Sequence, residues 1–219
     1  MKNIIYTAIF DNYDELKDPL VITPNVNYFC FTDNLQLKSN VWKVVHNLKV
    51  NNTKNLTKPQ LAREIKINIH RFMLDFNKAL WIDANQQINA DLTFLFESNI
   101  EYDFTLLNHP ERNCVYKEGL ACIQLNKDSQ DMINAQMKKY FDNSYPEDNG
   151  LVATGLMIRN RKDNVNIFCE KWFDEILHFS HRDQLSFNYV LWKSFKNFSL
   201  NTIPFETLKE NFIKCKHKK

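Results

Sequence analysis

Apolar positions along this chain follow two patterns. Short runs rich in β-branched and aromatic residues are bounded by Asp, Asn and Ser, and longer stretches place apolar residues three or four apart. The first pattern predicts strands at Ile4–Phe10, Tyr28–Thr32, Val41–Val45, Lys78–Ile82, Phe104–Leu107, Gly155–Arg159 and Asn201–Pro204, the first of them buried on both faces. The second predicts a helix over 58–73, where Leu61, Ala62, Ile65, Ile69, Phe72 and Met73 recur at helical spacing and Pro59 sits in the first turn. Arg63, Lys66 and His70 fall at i, i+3 and i+7 there, which predicts a basic stripe along one edge. Further helices are predicted over 91–96 with Asp91 as cap, and over roughly 116–127, 129–142, 164–179 and 182–195. Strands and helices in one chain of this length leave an α/β or an α+β domain open. No internal repeat or low-complexity linker interrupts the series.

A length of 219 residues suits one sizeable core and is short for two, so a single domain spanning 1–219 is expected. With 44% hydrophobic and 13% aromatic residues, burial can offset the ordering entropy. The 28 Lys+Arg against 26 Asp+Glu leave a formal charge of +2, too little field to argue for a nucleic-acid partner. Five scattered cysteines (Cys30, Cys114, Cys122, Cys169, Cys215) form no C-x-x-C pair and fit reduced thiols. The apolar start is too short for a signal peptide, and no run reaches the roughly 18 residues of a membrane span. The expectation is a cytoplasmic protein without a transmembrane segment. Its basic end, Lys214 to Lys219, is expected to be a solvated terminus, with peripheral contact to anionic lipid as the alternative.

The three glycines, Gly119, Gly150 and Gly155, exclude a Walker loop and a G-x-G-x-x-G turn. Phosphate, if bound, must be held by a metal or by side chains. One stretch offers the metal: the strand Lys78–Ile82 runs directly into Asp83, Ala84 and Asn85. Ligands of open α/β sheets bind at the carboxyl ends of strands, and a D-x-N triplet there turns two oxygen donors to one side. Such donors suit a hard cation, Mn²⁺ or Mg²⁺, that also takes diphosphate oxygens. An ordinary turn is the competing reading, since Asp and Asn are common turn formers.

Several segments together carry a resemblance: Tyr6-Thr-Ala-Ile-Phe-Asp-Asn-Tyr-Asp14, Cys30-Phe-Thr-Asp33, Ala62-Arg-Glu-Ile-Lys66, Leu80-Trp-Ile-Asp-Ala-Asn85, His109 through Glu118, Gly150-Leu151 and Ser180-His-Arg-Asp-Gln-Leu-Ser-Phe187. In this order they resemble the family of plant mucilage- and pollen-associated glycosyltransferase-like proteins and their bacterial and viral relatives, over roughly residues 4–192. The family usually has Gly where this chain has Asp11. A more distant similarity links Ile82-Asp-Ala-Asn85, Ala153-Thr-Gly-Leu-Met-Ile158 and Asp183-Gln184 to the glycogenin and galactosyltransferase family, whose metal-binding histidine near the C-terminus has His217 as its counterpart here. His217 lacks the usual Gly and Pro neighbours.

The resemblance implies an α/β, GT-A-type, Rossmann-like fold with a mostly parallel central sheet flanked by helices, with a donor-binding half at about 1–100 and an acceptor-side half at about 101–219. It implies transfer of a hexose or deoxyhexose from a nucleoside diphosphate sugar, UDP-linked by preference, to a glycan or glycolipid hydroxyl. Mn²⁺ or Mg²⁺ would be held by Asp83, Asn85 and His217. On the donor side it implicates Thr7, Ile9, Tyr13, Asp33, Arg63, Lys66 and Ala84, with Arg63 and Lys66 neutralising diphosphate. On the sugar or acceptor side it implicates His109, Arg112, Glu118, Thr154, Gly155 and Gln184. Arg182 and Asp183 would serve the chemistry, Asp183 as general base or as orienter; the bland alternative is a helix cap. Trp172 and Trp192 are expected in the core. The rival class is a non-catalytic nucleotide- or glycan-binding module of the same fold. A nucleotidyltransferase is disfavoured, because Phe10–Asp14 lacks a glycine-rich loop.

Overall fold

A computed structural model describes residues 3–46, 56–98, 100–195 and 197–218. In chain order the elements begin with strands β1 (Asn3–Ile9), β2 (Val26–Thr32) and β3 (Lys43–Val45) and helices α1 (Lys58–Ile67) and α2 (Ile69–Phe72). Then come β4 (Lys78–Ile82), β5 (Gln86–Ile88), α3 (Thr93–Ser98), β6 (Phe104–Asn108), α4 (Val115–Gln124) and α5 (Gln130–Asp142). The last part holds β7 (Val152–Asn160), α6 (Asp163–His178), a 3₁₀ turn at Asp183–Leu185, α7 (Phe187–Ser194), β8 (Leu200–Ile203), α8 (Glu206–Asn211) and β9 (Phe212–Lys214). Seven strands form one sheet in the order β3-β2-β1-β4-β7-β6-β8. Only β7 runs against the rest of that sheet, pairing antiparallel with β4 and β6. This is the mostly parallel central sheet expected from the sequence.

Its two faces explain the continuous apolar strands. On one face Ile4, Tyr6, Phe10, Trp81 and Met157 pack under α1, α6 and α7, with Trp172 and Phe168 fully enclosed. On the other, Ile5, Ile9, Leu80, Ile82 and Ile158 pack against Leu95, Phe96, Trp42 and Leu208. A strand covered on both sides cannot alternate polar and apolar residues. Trp172 lies in the core as expected, while Trp192 is 37% exposed.

The helix expected over 58–73 is two helices. Thr57 caps α1 in a reciprocal box with Gln60, and Pro59 sits in its first turn. At Asn68 (φ −105°, ψ 38°) the chain leaves helical geometry. The expected basic stripe is broken with it. Arg63 and Lys66 turn toward the carboxyl edge of the sheet, whereas His70, on α2, faces Glu170 at 3.6 Å. The helix expected from Arg182 is likewise a buried 3₁₀ turn followed by α7, because Asp183 and Leu185 are drawn inward.

The basic end keeps the side chains of Lys214, Lys216 and Lys218 exposed, as expected of a solvated segment, but its backbone is tied to the fold as far as Lys218. Gln86, Gln87 and Ile88 of β5 pair antiparallel with Lys214, Ile213 and Phe212 of β9. Beyond β9, the Cys215 N–H donates to the Asn85 carbonyl at 2.7 Å and the Lys218 N–H to the Tyr13 carbonyl at 3.1 Å. A three-residue strand has little sequence signature of its own, so β5 and β9 become visible only once they meet.

Burial sets a pH response. His70, His109 and His181 all have lowered pKa values, burial being the first cause in each case; His70 falls to about 4, the Arg159 charge adding to burial. These residues stay neutral in the fold while the unfolded chain takes up protons near pH 6.5. Their stability contribution is therefore complete above pH 6.5 and is lost as pH falls toward the folded values. Urea midpoints are expected to drop steadily between pH 7 and pH 4.5, and the drop is expected to be shallower in His70→Gln. A midpoint that is flat across this range would contradict the assignment.

Candidate functional site at the carboxyl edge of the sheet

Strand direction decides where the polar side chains meet. β1, β2, β4 and β6 all end at the same edge, delivering Asp11, Asp33, Asp83 and His109 there. Because β7 runs the other way, its first residues, including Thr154 and Gly155, arrive at that edge too. The Asp83 N–H donates to the Gly155 carbonyl at 3.0 Å, and a methyl group at Gly155 would stand 3.2 Å from Asp83 Oδ2. Glycine thus leaves room for the carboxylate.

Lys66 is the centre of the cluster. It is 1% exposed, and its Nζ lies 2.6 Å from Asp183 Oδ2, 3.3 Å from Thr154 Oγ1 and 3.4 Å from Asp83 Oδ1. It also sits 5.4 Å from the Trp81 ring centroid, whose indole N–H donates to Asp83 Oδ1 at 2.8 Å. Asp83 keeps a side chain 44% exposed, so this carboxylate faces both the buried lysine and solvent. Asp183 is buried; the Arg63 Nε lies 3.7 Å from its Oδ2. Burial alone would raise the Asp183 pKa, but the charges of Lys66, Arg63 and Arg182 with the Lys66 hydrogen bond hold it well below the usual carboxylate range. The Trp172 indole N–H donates to the Asp183 carbonyl and to Ser186 Oγ, both at 3.0 Å, fixing the 3₁₀ turn.

A second cluster adjoins the first through Gln184. Glu118, 4% exposed on α4, accepts from Arg112 Nε and Gln184 Nε2 and lies 3.4 Å from His109 Nε2. The backbone N–H of Arg112 donates to His109 Nδ1 at 3.0 Å, which leaves the ring proton on Nε2, facing Glu118. The structure therefore brings together His109, Arg112, Glu118 and Gln184, with Asp183 one residue away. Arg182 points inward beside this group, and its backbone N–H donates to Ser180 Oγ at 3.1 Å.

A third group lies where the C-terminal segment crosses the strand ends. His217 Nδ1 is 2.7 Å from Asp14 Oδ1, its Nε2 is 3.4 Å from Asn85 Nδ2, and its ring lies 4.9 Å from Tyr13. In the tautomer with its proton on Nδ1, directed at Asp14, the other ring nitrogen carries the lone pair and faces the Asn85 Nδ2 amide. A carboxylate on the second ring nitrogen is the arrangement that orients many metal-ligating imidazoles. Asp83, Asn85 and His217 supply the oxygen and nitrogen donor types that a hard divalent cation takes, with one carboxylate among them, and the Asn85 amide would have to turn its oxygen rather than its nitrogen toward such an ion. Among the described residues no group of three His, Cys, Asp or Glu side chains gathers as a metal cluster.

The remaining expected residues divide. Asp11 and Asn12 take left-handed backbone (φ 55° and 51°), which explains why a glycine suits position 11 in the resembling family. That turn lets the Asp11 N–H donate to Asp33 Oδ1 at 3.1 Å, and Lys58 pairs with Asp33 Oδ2 at 2.7 Å. Ile9 and Ala84 are buried, Ile9 in the second core face, and Thr7 is 1% exposed within β1. Two further side chains join the site: Asp14, which ends the Tyr6–Asp14 segment, and Trp81, which precedes Asp83 by two residues. Neither stands out by local spacing, because each acts through a partner, His217 for Asp14 and Asp83 for Trp81.

An open, mostly parallel sheet with carboxylates, cations and an imidazole gathered at its carboxyl edge defines an α/β protein with a polar candidate site at that edge. Residues 1–217 match the model of the TOD1/MUCI70 glycosyltransferase-like domain, and the chain belongs to that family. It is 24% identical over 251 aligned residues to alkaline ceramidase TOD1 of Arabidopsis thaliana, covering 98% of this chain and 53% of that protein. It is 24% identical over 219 residues to the probable hexosyltransferase MUCI70 of the same plant, covering 85% of this chain and 36% of the relative. The chain thus spans about half of the first relative and about a third of the second. Solved structures that it resembles include mouse xyloside xylosyltransferase 1 in its apo form (9% identity, TM-score 0.47, 92% of this chain and 84% of that one). Another is the glycosyltransferase GlyE of Streptococcus pneumoniae TIGR4 (10% identity, TM-score 0.47, 92% and 45%). Among the described residues no helix is long and apolar enough to cross a membrane.

Proposed function

We propose that the chain is a glycosyltransferase domain that moves a hexosyl or deoxyhexosyl group from a nucleoside diphosphate sugar, UDP-linked, to a glycan or glycolipid hydroxyl. The observation that carries this reading is the convergence of Asp83, Lys66, Thr154 and Asp183 at the carboxyl edge, flanked by Asn85 and His217. In a chain with three glycines, diphosphate has no backbone cradle and depends on such side chains. Asp83, Asn85 and His217 would hold Mn²⁺ or Mg²⁺, which when bound supplies charge stabilisation to the departing diphosphate.

Lys66 and Arg63 place positive charge beside the same position, where it favours negative charge that grows as the glycosidic bond breaks. Thr154 holds the ammonium at the strand end. Asp183 is buried and engaged by cations, which makes it a weak proton acceptor and supports its role as the group that orients Lys66 and Arg63 rather than a general base. His109, Arg112, Glu118 and Gln184 form a hydrogen-bonding wall suited to sugar hydroxyls, with Gly155 leaving space beside Asp83. The donor half at about 1–100 would then supply the nucleotide contacts, Asp33, Tyr13, Thr7 and the backbone at Ile9 among them.

Amide hydrolysis through a serine nucleophile finds no support in the Ser180, His181 and Asp128 trio. Ser180 is fully buried and donates its hydroxyl proton to Asp128 at 2.6 Å, not to the imidazole.

The test is titration of UDP and GDP with and without Mn²⁺, followed by a screen of UDP-hexoses for metal-dependent UDP release. Metal-dependent UDP binding with turnover is the expected result. Binding without turnover on any donor would favour the non-catalytic module, and no binding of either nucleotide would overturn the donor site.

A further inference from the structure

Arg159 is 2% exposed on β7, and among the described residues no carboxylate forms an ion pair with it. A buried guanidinium without a counter-charge is costly, so the groups it touches must account for its place. Its NH1 donates to the carbonyl of Ile67 and lies 3.0 Å from Cys169 Sγ; its NH2 donates to the Lys66 carbonyl at 3.1 Å and to the Tyr6 hydroxyl at 2.7 Å. Tyr6 in turn donates to the same Lys66 carbonyl at 2.6 Å. Two of the orphan carbonyls at the end of α1 are thus satisfied from the sheet, by a positive charge at the end of a helix where positive charge is favoured.

The carbonyl so gripped belongs to the residue whose ammonium contacts Asp83, Thr154 and Asp183. Tyr6 and Trp81 are direct neighbours in the β1–β4 register and meet edge to face at 5.3 Å, and Trp81 donates to Asp83. One framework therefore holds the lysine backbone at one end and its carboxylate partner at the other. We propose that Arg159, with Tyr6, is a positioning residue that fixes the end of α1 and thereby sets the Lys66 ammonium at the site. The geometry stands without any ligand; its consequence for nucleotide binding rests on the function proposed above.

The experiment reads Lys66 directly. The full chain and its Arg159→Met, Arg159→Lys and Tyr6→Phe variants are first checked for cooperative unfolding. Each is then labelled with trace acetic anhydride, and Lys66 acetylation is measured by mass spectrometry relative to Lys58 and Lys138. Lys66 is expected to label about tenfold faster in Arg159→Met, severalfold faster in Tyr6→Phe and at an intermediate rate in Arg159→Lys, while the reference lysines stay unchanged. Titration with UDP and Mn²⁺ accompanies the labelling, and weaker binding in the same rank order is expected. Unchanged Lys66 labelling in a folded Arg159→Met overturns the proposal, as does equal acceleration at all three lysines. If Arg159→Met does not fold, Tyr6→Phe decides the matter by the same two criteria. Faster Lys66 labelling with unaltered UDP binding upholds the positioning role and instead removes Lys66 from the diphosphate site.

Discussion

Asp83→Ala is expected to abolish metal-dependent nucleotide binding, lowering UDP affinity in Mn²⁺ by about 100-fold or more. Removing a group that merely orients a metal ligand already costs about 10- to 100-fold in metal affinity. Asp83 would be the single carboxylate in a set completed by a neutral amide and a neutral imidazole, so its loss weighs more than that of either partner. The same substitution leaves the Trp81 indole N–H without its 2.8 Å acceptor and removes a carboxylate lying 3.4 Å from Lys66. Those losses cost roughly 1–3 kcal/mol of stability, which a folded domain can tolerate. Calorimetric titration on a variant with confirmed cooperative unfolding separates the two effects. UDP binding that persists in Mn²⁺ without Asp83 would reduce the Asp-Ala-Asn triplet to a turn at a strand end.

The largest expected effect on stability comes from Lys66→Met. Its partner Asp183 is buried and would keep Arg63, at 3.7 Å, as a distant counter-charge. Breaking a buried pair by deleting one partner typically costs about 3–5 kcal/mol, because the other charge is left in the interior. Arg63 places the expectation near the lower end, about 3 kcal/mol. Adding Asp183→Asn to Lys66→Met removes the stranded charge, so the double variant is expected to be more stable than Lys66→Met alone. Urea denaturation with unchanged m-values measures this. A loss below about 1 kcal/mol would mean that Asp183 is hydrated or neutral, contrary to the ion pair at 2.6 Å.

The site was partly legible because short-range chemistry was. Asp83 to Asn85 follows a strand directly, and His109, Arg112 and Glu118 lie within ten residues, so local spacing was enough to group them. Arg63 and Lys66 could be placed on one helix, but not the depth of Lys66. A lysine at 1% exposure reads in sequence like any charged helix residue, and only Asp183, more than a hundred residues away, makes its burial tolerable. Asp183 illustrates the converse. As a sequence position it was a plausible α-helix cap; in the fold it is a buried carboxylate in a 3₁₀ turn, because Lys66 and Trp172 draw it inward.

The sequence by itself determined the alternation of strands and helices, the two-sided burial of the central strands and the strand-terminal place of Asp83. Those follow from hydrophobic period and local turn chemistry, which are properties of neighbouring residues. Strand order, the reversed direction of β7, the break at Asn68 and the return of His217 to Asn85 were decided by tertiary structure alone. Each depends on pairings between distant segments: β7 brings Thr154 to Lys66, Arg159 takes the carbonyls that would have continued α1, and β9 finds β5 across more than a hundred residues. Such contacts carry no periodicity along the chain, so they appear only when the sheet has assembled and the cost of leaving polar groups unpaired selects their partners.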